Sequence, residues 1–267
     1  MTKNRHISLQ KAWNFRDMGG YIGADGKAIK WGLLYRSDEL SKLTSEDICV
    51  VEKLGLKTIV DYRGDFERKN NEDKPITGAK VVYLDPKADV AAMASSEAKD
   101  HSEMFDTSKL TAAMAKGFMI AQNVEFVTNE NSKQAFRQLL DLVLDKKNIP
   151  LVHHCRGGKD RTGFGALLIL SLLGVSKQDI LEDYMLTNFY KKEKNESSLQ
   201  EMMEKTNNED LVLAFRYMKE ANLDYIYAAL EEIEQKYGDV VQYCKQELNV
   251  TDAEIATLRE FYLEEEK

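Results

Sequence analysis

Cys155 and Arg161 stand six positions apart in the run His153-His154-Cys155-Arg156-Gly157-Gly158-Lys159-Asp160-Arg161-Thr162-Gly163. A thiol, two glycines and a fixed cation on one short loop can hold an anion against a sulfur nucleophile. Gly157 and Gly158 can take backbone angles that turn successive N–H groups inward, a nest for phosphate oxygens. A helix opening near Thr162 would add its positive end. Arg161 supplies a planar fork for two oxygens and for the spread charge of a transition state, which a lysine could not copy. The same field acts on the thiol, since a free cysteine has a pKa of ~8.5 and falls to ~3.5–7.5 beside cations or a helix N-terminus. Cys155 is therefore expected as a thiolate that attacks phosphorus and forms a phosphocysteine. Thr162 is placed to hydrogen-bond the sulfur as it leaves, and His154 to brace the loop.

Other readings of these residues are weaker. A cysteine at a strand end is usually a small buried hydrophobe, and Cys49 and Cys244 take that reading. His153-His154-Cys155 lacks a second ligand pair at zinc spacing, so no metal is expected. Gly158-Lys159 suggests a nucleotide-binding loop, which needs Ser/Thr after the lysine and a glycine five positions before Gly158. Asp160 and His153 occupy those places, and that reading fails. A rhodanese-type sulfurtransferase also cradles an anion beside a cysteine, usually in a shorter loop. A non-catalytic phosphate-binding module is opposed by the intact Cys155, Arg161 and Thr162.

The loop needs a strand to deliver it and a helix to anchor it. Residues 149–153 are an apolar strand candidate leading into it, and 164–173 an apolar run leaving it. Residues 33–35, 57–60 and 80–84 are further strand candidates, the last two ending at Asp61-Tyr62-Arg63 and Asp85-Pro86. Thr44 with Glu46 and Asp47 behind it marks a helix start, carried on by Ile48, Val51 and Leu54 and stopped by Gly55. Helical patterns between the strand candidates imply an α/β fold: a small, mostly parallel central sheet flanked by helices. In such sheets the ligand crevice lies beyond the carboxyl ends of the strands, where Asp61, Arg63, Asp85 and the Cys155 loop would meet.

Residues 88–127 are rich in Ala and Met and too long for a plain loop, so they read as a helical insertion, either packed on the surface or closing over the site as a lid. Beyond Arg161 the chain reads as helical over 163–173, 176–190, 208–221, 223–237 and 251–265, with Gly174 and Gly238 as stops. With no linker or charge break, 1–267 is expected to be a single domain, its last part from about 206 a helical extension packed on the rest.

The formal net charge of −8 argues against general nucleic-acid binding, so an anionic ligand needs a local basic pocket, here Arg156, Lys159 and Arg161. The three cysteines make no disulfide framework. No apolar h-region follows the N-terminus and no run reaches the ~20 apolar residues of a spanning helix, so a cytoplasmic protein without membrane insertion is expected, with secretion by another route left open. Nothing in the chain speaks to its oligomeric state.

The segment 154–163 resembles the signature loop of the protein tyrosine phosphatase superfamily, Cys-x5-Arg-Ser/Thr. With Lys159-Asp160 inside the loop it is similar to that superfamily's bacterial tyrosine/lipid phosphatase branch. Asn14-Phe15-Arg16-Asp17-Met18-Gly19-Gly20-Tyr21, Leu34-Tyr35-Arg36-Ser37 and Asp61-Tyr62-Arg63 fit further blocks of the branch, in order. The resemblance implies a phosphatase fold, cysteine catalysis without a cofactor, and activity on phosphotyrosine, often phosphoserine/threonine, and phosphoinositides. It makes Cys155 the nucleophile, Arg161 the phosphate-binding arginine and Asp160 the proton donor, with Asp61 and Asp85 as the nearest alternatives. Asp160 could instead merely pair with Arg16 or Arg63. Asn14, Arg16 and Asp17 suit a buttress for the loop. Arg156 and Lys159 add positive charge beyond one phosphate clamp, which leans toward a polyphosphorylated inositol head group, although Arg156 could equally face solvent.

Overall fold

A computed structural model describes residues 4–87 and 109–265. The strands form where β-branched and apolar residues cluster: β1 (Arg16–Asp17), β2 (Ala28–Ile29), β3 (Leu34–Ser37), β4 (Thr58–Asp61), β5 (Lys80–Tyr83) and β6 (Leu151–His154). Five of them make one sheet in the order β1-β3-β6-β4-β5, with β3, β6, β4 and β5 parallel and β1 antiparallel at one edge. Side chains along a strand point alternately to opposite faces, and the two faces are both covered. Tyr35, Ile59 and Val152 enter one apolar cluster with Phe15, Leu40 and Val51, whereas Leu34, Val60 and Leu151 enter the larger one on the other side. That arrangement is the expected α/β sheet.

The register brings the strand ends together. Ser37 and Asp61 both lie opposite His154, and Tyr83 lies opposite Asp61. Cys155 therefore emerges in the middle of the sheet's carboxyl edge, flanked by the segments that follow β3 and β4.

On the first face lies α1 (Ser45–Glu52), begun by a capping box between Thr44 and Asp47 as the sequence anticipates. The short α2 (Asp65–Asn70) follows β4. The larger face is built by α3 (Ala112–Thr128), α4 (Glu130–Leu144), α5 (Asp160–Leu172), α6 (Lys177–Thr206), α7 (Glu209–Lys219), α8 (Leu223–Tyr237), α9 (Val240–Glu247) and α10 (Asp252–Tyr262). Helix α5, which leaves the cysteine loop, is buried along almost all of its length, and its Phe164 packs among Phe126, Phe136 and Tyr243. The chain end returns to its beginning: β7 (Leu263–Glu264) pairs with β2.

Two elements exceed the sequence reading. Helix α6 runs 30 residues to Asn207, which ends it in the left-handed conformation, rather than stopping near 190. Its second half is mostly Lys, Glu, Ser and Asn, with little apolar periodicity, yet Lys191, Asn195 and Leu199 continue one buried stripe at helical spacing. Helix α9 fills the stretch between 223–237 and 251–265 for which the sequence reading assigns no element; Asp239 caps it directly after Gly238. Of the expected 88–127 insertion, 88–108 lies outside the described residues. The remainder is mainly α3, with Phe126 and Val127 in the main core and Ala115 against Leu199, Ala214 and Phe215. Among the described residues no helix is long and apolar enough to cross a membrane.

Candidate active site

The loop's peptide groups are oriented from outside. The Arg156 carbonyl accepts from the Glu39 N–H at 3.2 Å. The Gly157 carbonyl accepts from Lys191 Nζ at 3.1 Å, and the Gly158 carbonyl from Asn14 Nδ2 and Arg36 Nη2, both at 2.9 Å. In a trans peptide the N–H points opposite to the C=O. The N–H groups of Gly157, Gly158 and Lys159 therefore turn to the inner side of the loop, where Cys155 lies. Gly158 makes this possible: its φ is +64°, and a Cβ there would stand 2.4 Å from the Ser37 carbonyl oxygen. No other residue type fits both conditions.

Arg161 sits in the first turn of α5, 2% exposed. Its Nη1 and Nη2 grip both oxygens of Glu67 at 2.6 and 3.0 Å, and Nη1 also donates to the Tyr62 carbonyl at 3.1 Å. Nε is buried and has no hydrogen-bond partner among the described residues. Glu67 is fixed in turn because Oε2 accepts from the N-cap N–H of α2, at Gly64, at 3.1 Å. Burial works against the Glu67 charge, but Arg161 and the Gly64 amide hold the carboxyl below its usual range. The guanidinium is thus set in one plane before any ligand arrives.

The Cys155 sulfur lies at the mouth of β6, 3% exposed. Burial alone would raise its pKa. The Arg161 charge, with the adjacent Thr162 hydroxyl and amide, reverses that and brings it below the ordinary thiol value. Cys244 is the contrast: buried without such a field, its thiol is pushed up.

His154 braces the loop from behind. Its Nε2 lies 3.0 Å from Asp73 Oδ2, and its Nδ1 donates to the Cys155 carbonyl at 3.3 Å. Burial opposes its charge, but Asp73 and Asp61 outweigh it and push the pKa up to about 9. A group raised above its unfolded value of ~6.5 contributes stability fully below that pH and loses it as pH rises through about 9. The unfolding free energy from urea titration is expected to fall across that window by an amount on the order of 3 kcal/mol, with the midpoint falling accordingly, and Asp73→Asn to flatten the fall. A midpoint independent of pH from 6.5 to 9.5 would contradict a charged His154. Asp61, Asp73 and His154 bring ligand-type atoms within 4.8 Å of one another. Arg63 already lies among these carboxylates, 2.9 Å from Asp61 and 2.8 Å from Asp73.

The N-terminal block reaches the loop through a buried ion cluster. Arg16 Nε and Arg36 Nη1 both bind the Asp183 carboxylate of α6, and Arg16 Nη2 binds the Asp183 carbonyl at 2.8 Å. Arg16 also holds Asn14 through its side-chain oxygen, leaving the Asn14 amide for the loop carbonyls. Asn14 and Arg16 thus brace the loop. Asp17 instead fixes a turn, accepting from the N–H groups of Gly19 and Gly32, both at 2.7 Å.

Among the candidate acids, Asp61 is fully buried with both oxygens on Arg63. Asp85 accepts from the Lys87 N–H at 2.8 Å and does not line the cavity in front of Cys155. Asp160 does line it; Oδ1 accepts from the Tyr184 hydroxyl at 3.2 Å, and Oδ2 lies 3.4 Å from Lys159 Nζ. Neither Arg16 nor Arg63 is its partner. Lys159 points its ammonium at the Met218 and Glu220 carbonyls, 2.8 and 3.0 Å away, so that charge is already engaged. Arg156 is half-buried on the cavity wall. The cavity, about 870 Å³, runs from the loop along α6 past Lys191, Lys194 and Met202, with Phe215 and Met218 on its far wall.

Sequence reasoning missed Glu67 and Asp183. Asp183 falls on the stripe of Ile180, Tyr184 and Thr187, which made it a buried carboxylate in need of a cation.

A sulfur of lowered pKa beneath inward amides and a fixed guanidinium, at the carboxyl edge of a parallel sheet, defines a cysteine-based hydrolase of phosphoric monoesters. The chain belongs to the tyrosine phosphatase family, which matches it over residues 7–264. A Cupriavidus necator protein carrying a tyrosine-protein phosphatase name is 30% identical over 265 residues, 98% of this chain and 90% of its own length. The triple specificity protein phosphatase PtpB of Mycobacterium tuberculosis is 24% identical over 274 residues, 94% of this chain and 96% of its own. A solved TpbA structure from P. aeruginosa, in complex with pTyr, matches with a TM-score of 0.30 at 17% identity, covering 76% of this chain and 89% of that one.

Proposed function

We propose that the protein hydrolyses phosphotyrosine and other phosphorylated side chains through a phosphocysteine at Cys155. The observation that carries this reading is the set of three outward-held carbonyls at Arg156, Gly157 and Gly158, which turns the following amides onto one anion site beside the sulfur. The Cys155 thiolate attacks phosphorus as the P–O bond to the substrate breaks. The departing oxygen takes a proton from Asp160. Water then attacks the phosphocysteine, Asp160 takes a proton from that water, and the S–P bond breaks to release phosphate and thiolate. The amides of Gly157, Gly158 and Lys159 and the Arg161 fork hold the phosphoryl oxygens throughout, and Thr162 stabilises the leaving sulfur.

Asp160 is the acid this geometry favours, because Asp61 is committed to Arg63 and Asp85 is off the cavity. General acid catalysis supplies roughly 10²–10⁴-fold. Asp160→Asn should therefore lose a factor in that range in kcat/KM on an alkyl phosphate and far less on p-nitrophenyl phosphate, whose leaving group needs no proton. Full activity on the alkyl phosphate, with loss in Asp61→Asn instead, would move the role to Asp61.

Phosphoinositides are a second substrate class, supported by Arg156 and Lys194 along the cavity. Lys159 no longer adds to that argument. Side-by-side turnover of phosphotyrosine, phosphoserine and phosphothreonine peptides and phosphoinositides tests both proposals; turnover confined to peptides removes the lipid.

A further inference from the structure

The proton-donor assignment leaves open what fixes the carboxyl. Asp160 is 5% exposed and sits in the first turn of α5, with one partner on each oxygen. The Tyr184 hydroxyl donates to Oδ1 at 3.2 Å, and Lys159 Nζ stands 3.4 Å from Oδ2. Both partners are themselves immobilised. Tyr184 is 2% exposed, and its ring lies against the α5 backbone so closely that a Cβ at Gly163 would be 2.9 Å from it. Lys159 is anchored by the Met218 carbonyl in the last turn of α7 and by the Glu220 carbonyl in the turn that leads to α8. That turn is locked to α6 by a reciprocal pair: Asn188 Nδ2 donates to the Ala221 carbonyl at 2.8 Å, and Asn188 Oδ1 accepts the Ala221 N–H at 2.6 Å.

We propose that Tyr184 is a positioning residue for the leaving-group proton, holding Oδ1 of Asp160 so that Oδ2 carries and delivers it. The inference rests on Asp160 being the acid. A phenol donates one proton, and burial keeps the Tyr184 pKa well above its ordinary value, so the hydroxyl stays protonated through turnover. With Oδ1 occupied as an acceptor, the transferable proton of the neutral carboxyl resides on Oδ2. As the P–O bond breaks, its electron pair goes to the departing oxygen, which takes the Oδ2 proton and leaves Asp160 as a carboxylate. The Lys159 ammonium beside Oδ2 stabilises that product. Without the Tyr184 bond the carboxyl can rotate about its own axis, and the proton can face either way.

Tyr184→Phe keeps the ring that packs on Gly163 and removes only the hydroxyl. The test is kcat/KM, which reports the steps up to cysteine phosphorylation, measured for wild type, Tyr184→Phe, Asp160→Asn and the double variant, with thermal melts verifying that each is folded. The substrates are p-nitrophenyl phosphate and an alkyl phosphate. Tyr184→Phe should lose about 10-fold on the alkyl phosphate, part of the 10²–10⁴ that the acid supplies, and under about 3-fold on p-nitrophenyl phosphate. The double variant should be no worse than Asp160→Asn alone, because both changes remove one function. Equal losses on the two substrates, no loss on either, or additive losses in the double variant would overturn the proposal. A uniform loss in Asp160→Asn itself would mark the failure of the acid assignment, and the proposal would fall with it. A leaving-group-dependent Asp160→Asn beside a uniform Tyr184→Phe would overturn the Tyr184 role alone.

Discussion

Cys155→Ser should reduce kcat on every phosphate ester by about 10⁶-fold, the scale on which a hydrolase falls when its nucleophile is removed. The size follows from the site's electrostatics. Arg161 and Thr162 bring a thiol below its ordinary pKa against the cost of burial. A serine hydroxyl starts many units higher, so the same field leaves it neutral and unreactive. Ligand binding should survive, since the inward amides and the Arg161 fork are untouched and one negative charge opposite the phosphate is gone. Two measurements check this together. Phosphopeptide affinity by calorimetry should be equal to wild type or tighter, and acid-quenched wild type, but not the variant, should retain covalent phosphate. Residual turnover within about 100-fold of wild type would place the nucleophile elsewhere, since that is the scale of losing a single stabilising donor.

Local chemistry was legible from the chain because it is written in adjacent residues. The spacing of Cys155, Gly157, Gly158 and Arg161 placed a nest and a fork on one loop, and Thr44 with Asp47 announced α1. The parallel sheet followed from apolar runs separated by helical patterns, because burial on both faces fills strand centres with adjacent apolar residues such as Ile59 and Val60. What the chain hid is pairing at long range. Nothing local says that Glu67 meets Arg161 across 94 positions or that Asp183 meets Arg16 across 167. Such partners are chosen by the sheet register and by the course of α6; the buried stripe marks Asp183 as needing a cation, but nothing local says which one. Lys159 is the sharpest case. Its place in the loop suggests a phosphate ligand, yet its four-carbon stem reaches the carbonyls at the end of α7, whose position depends on how the C-terminal helices pack.

The largest expected effect outside the chemistry itself is at Asp183. Its carboxylate is the shared counter-charge of Arg16 and Arg36, and all three side chains are at most 1% exposed. Burial, and then the nearby Arg16 charge, press Arg36 toward its neutral form, and Asp183 is the main force against them. The carboxyl is correspondingly held well below its usual range, against its own burial, by Arg16 and Arg36. Asp183→Asn conserves shape but leaves two buried guanidinium groups without a counter-ion, and turns an amide donor toward one of them. Breaking one buried pair costs about 3–5 kcal/mol, so the variant should lose at least that much in denaturant titration. Asp179→Asn, one turn earlier on the same helix and only partly buried, should lose under about 1 kcal/mol. The cost should reach the site as well. Arg36 and Asn14, the latter held by Arg16, are the groups that turn the Gly158 carbonyl outward, so loosening them frees the Lys159 amide from its inward orientation. At a temperature where the variant remains folded, vanadate should bind it more weakly than wild type by about 10-fold, the value of one well-placed hydrogen bond to a charged group. Stability loss with unchanged vanadate affinity would confine Asp183 to holding the fold, and the loop would then owe its shape to Gly158, Lys191 and the Glu39 amide.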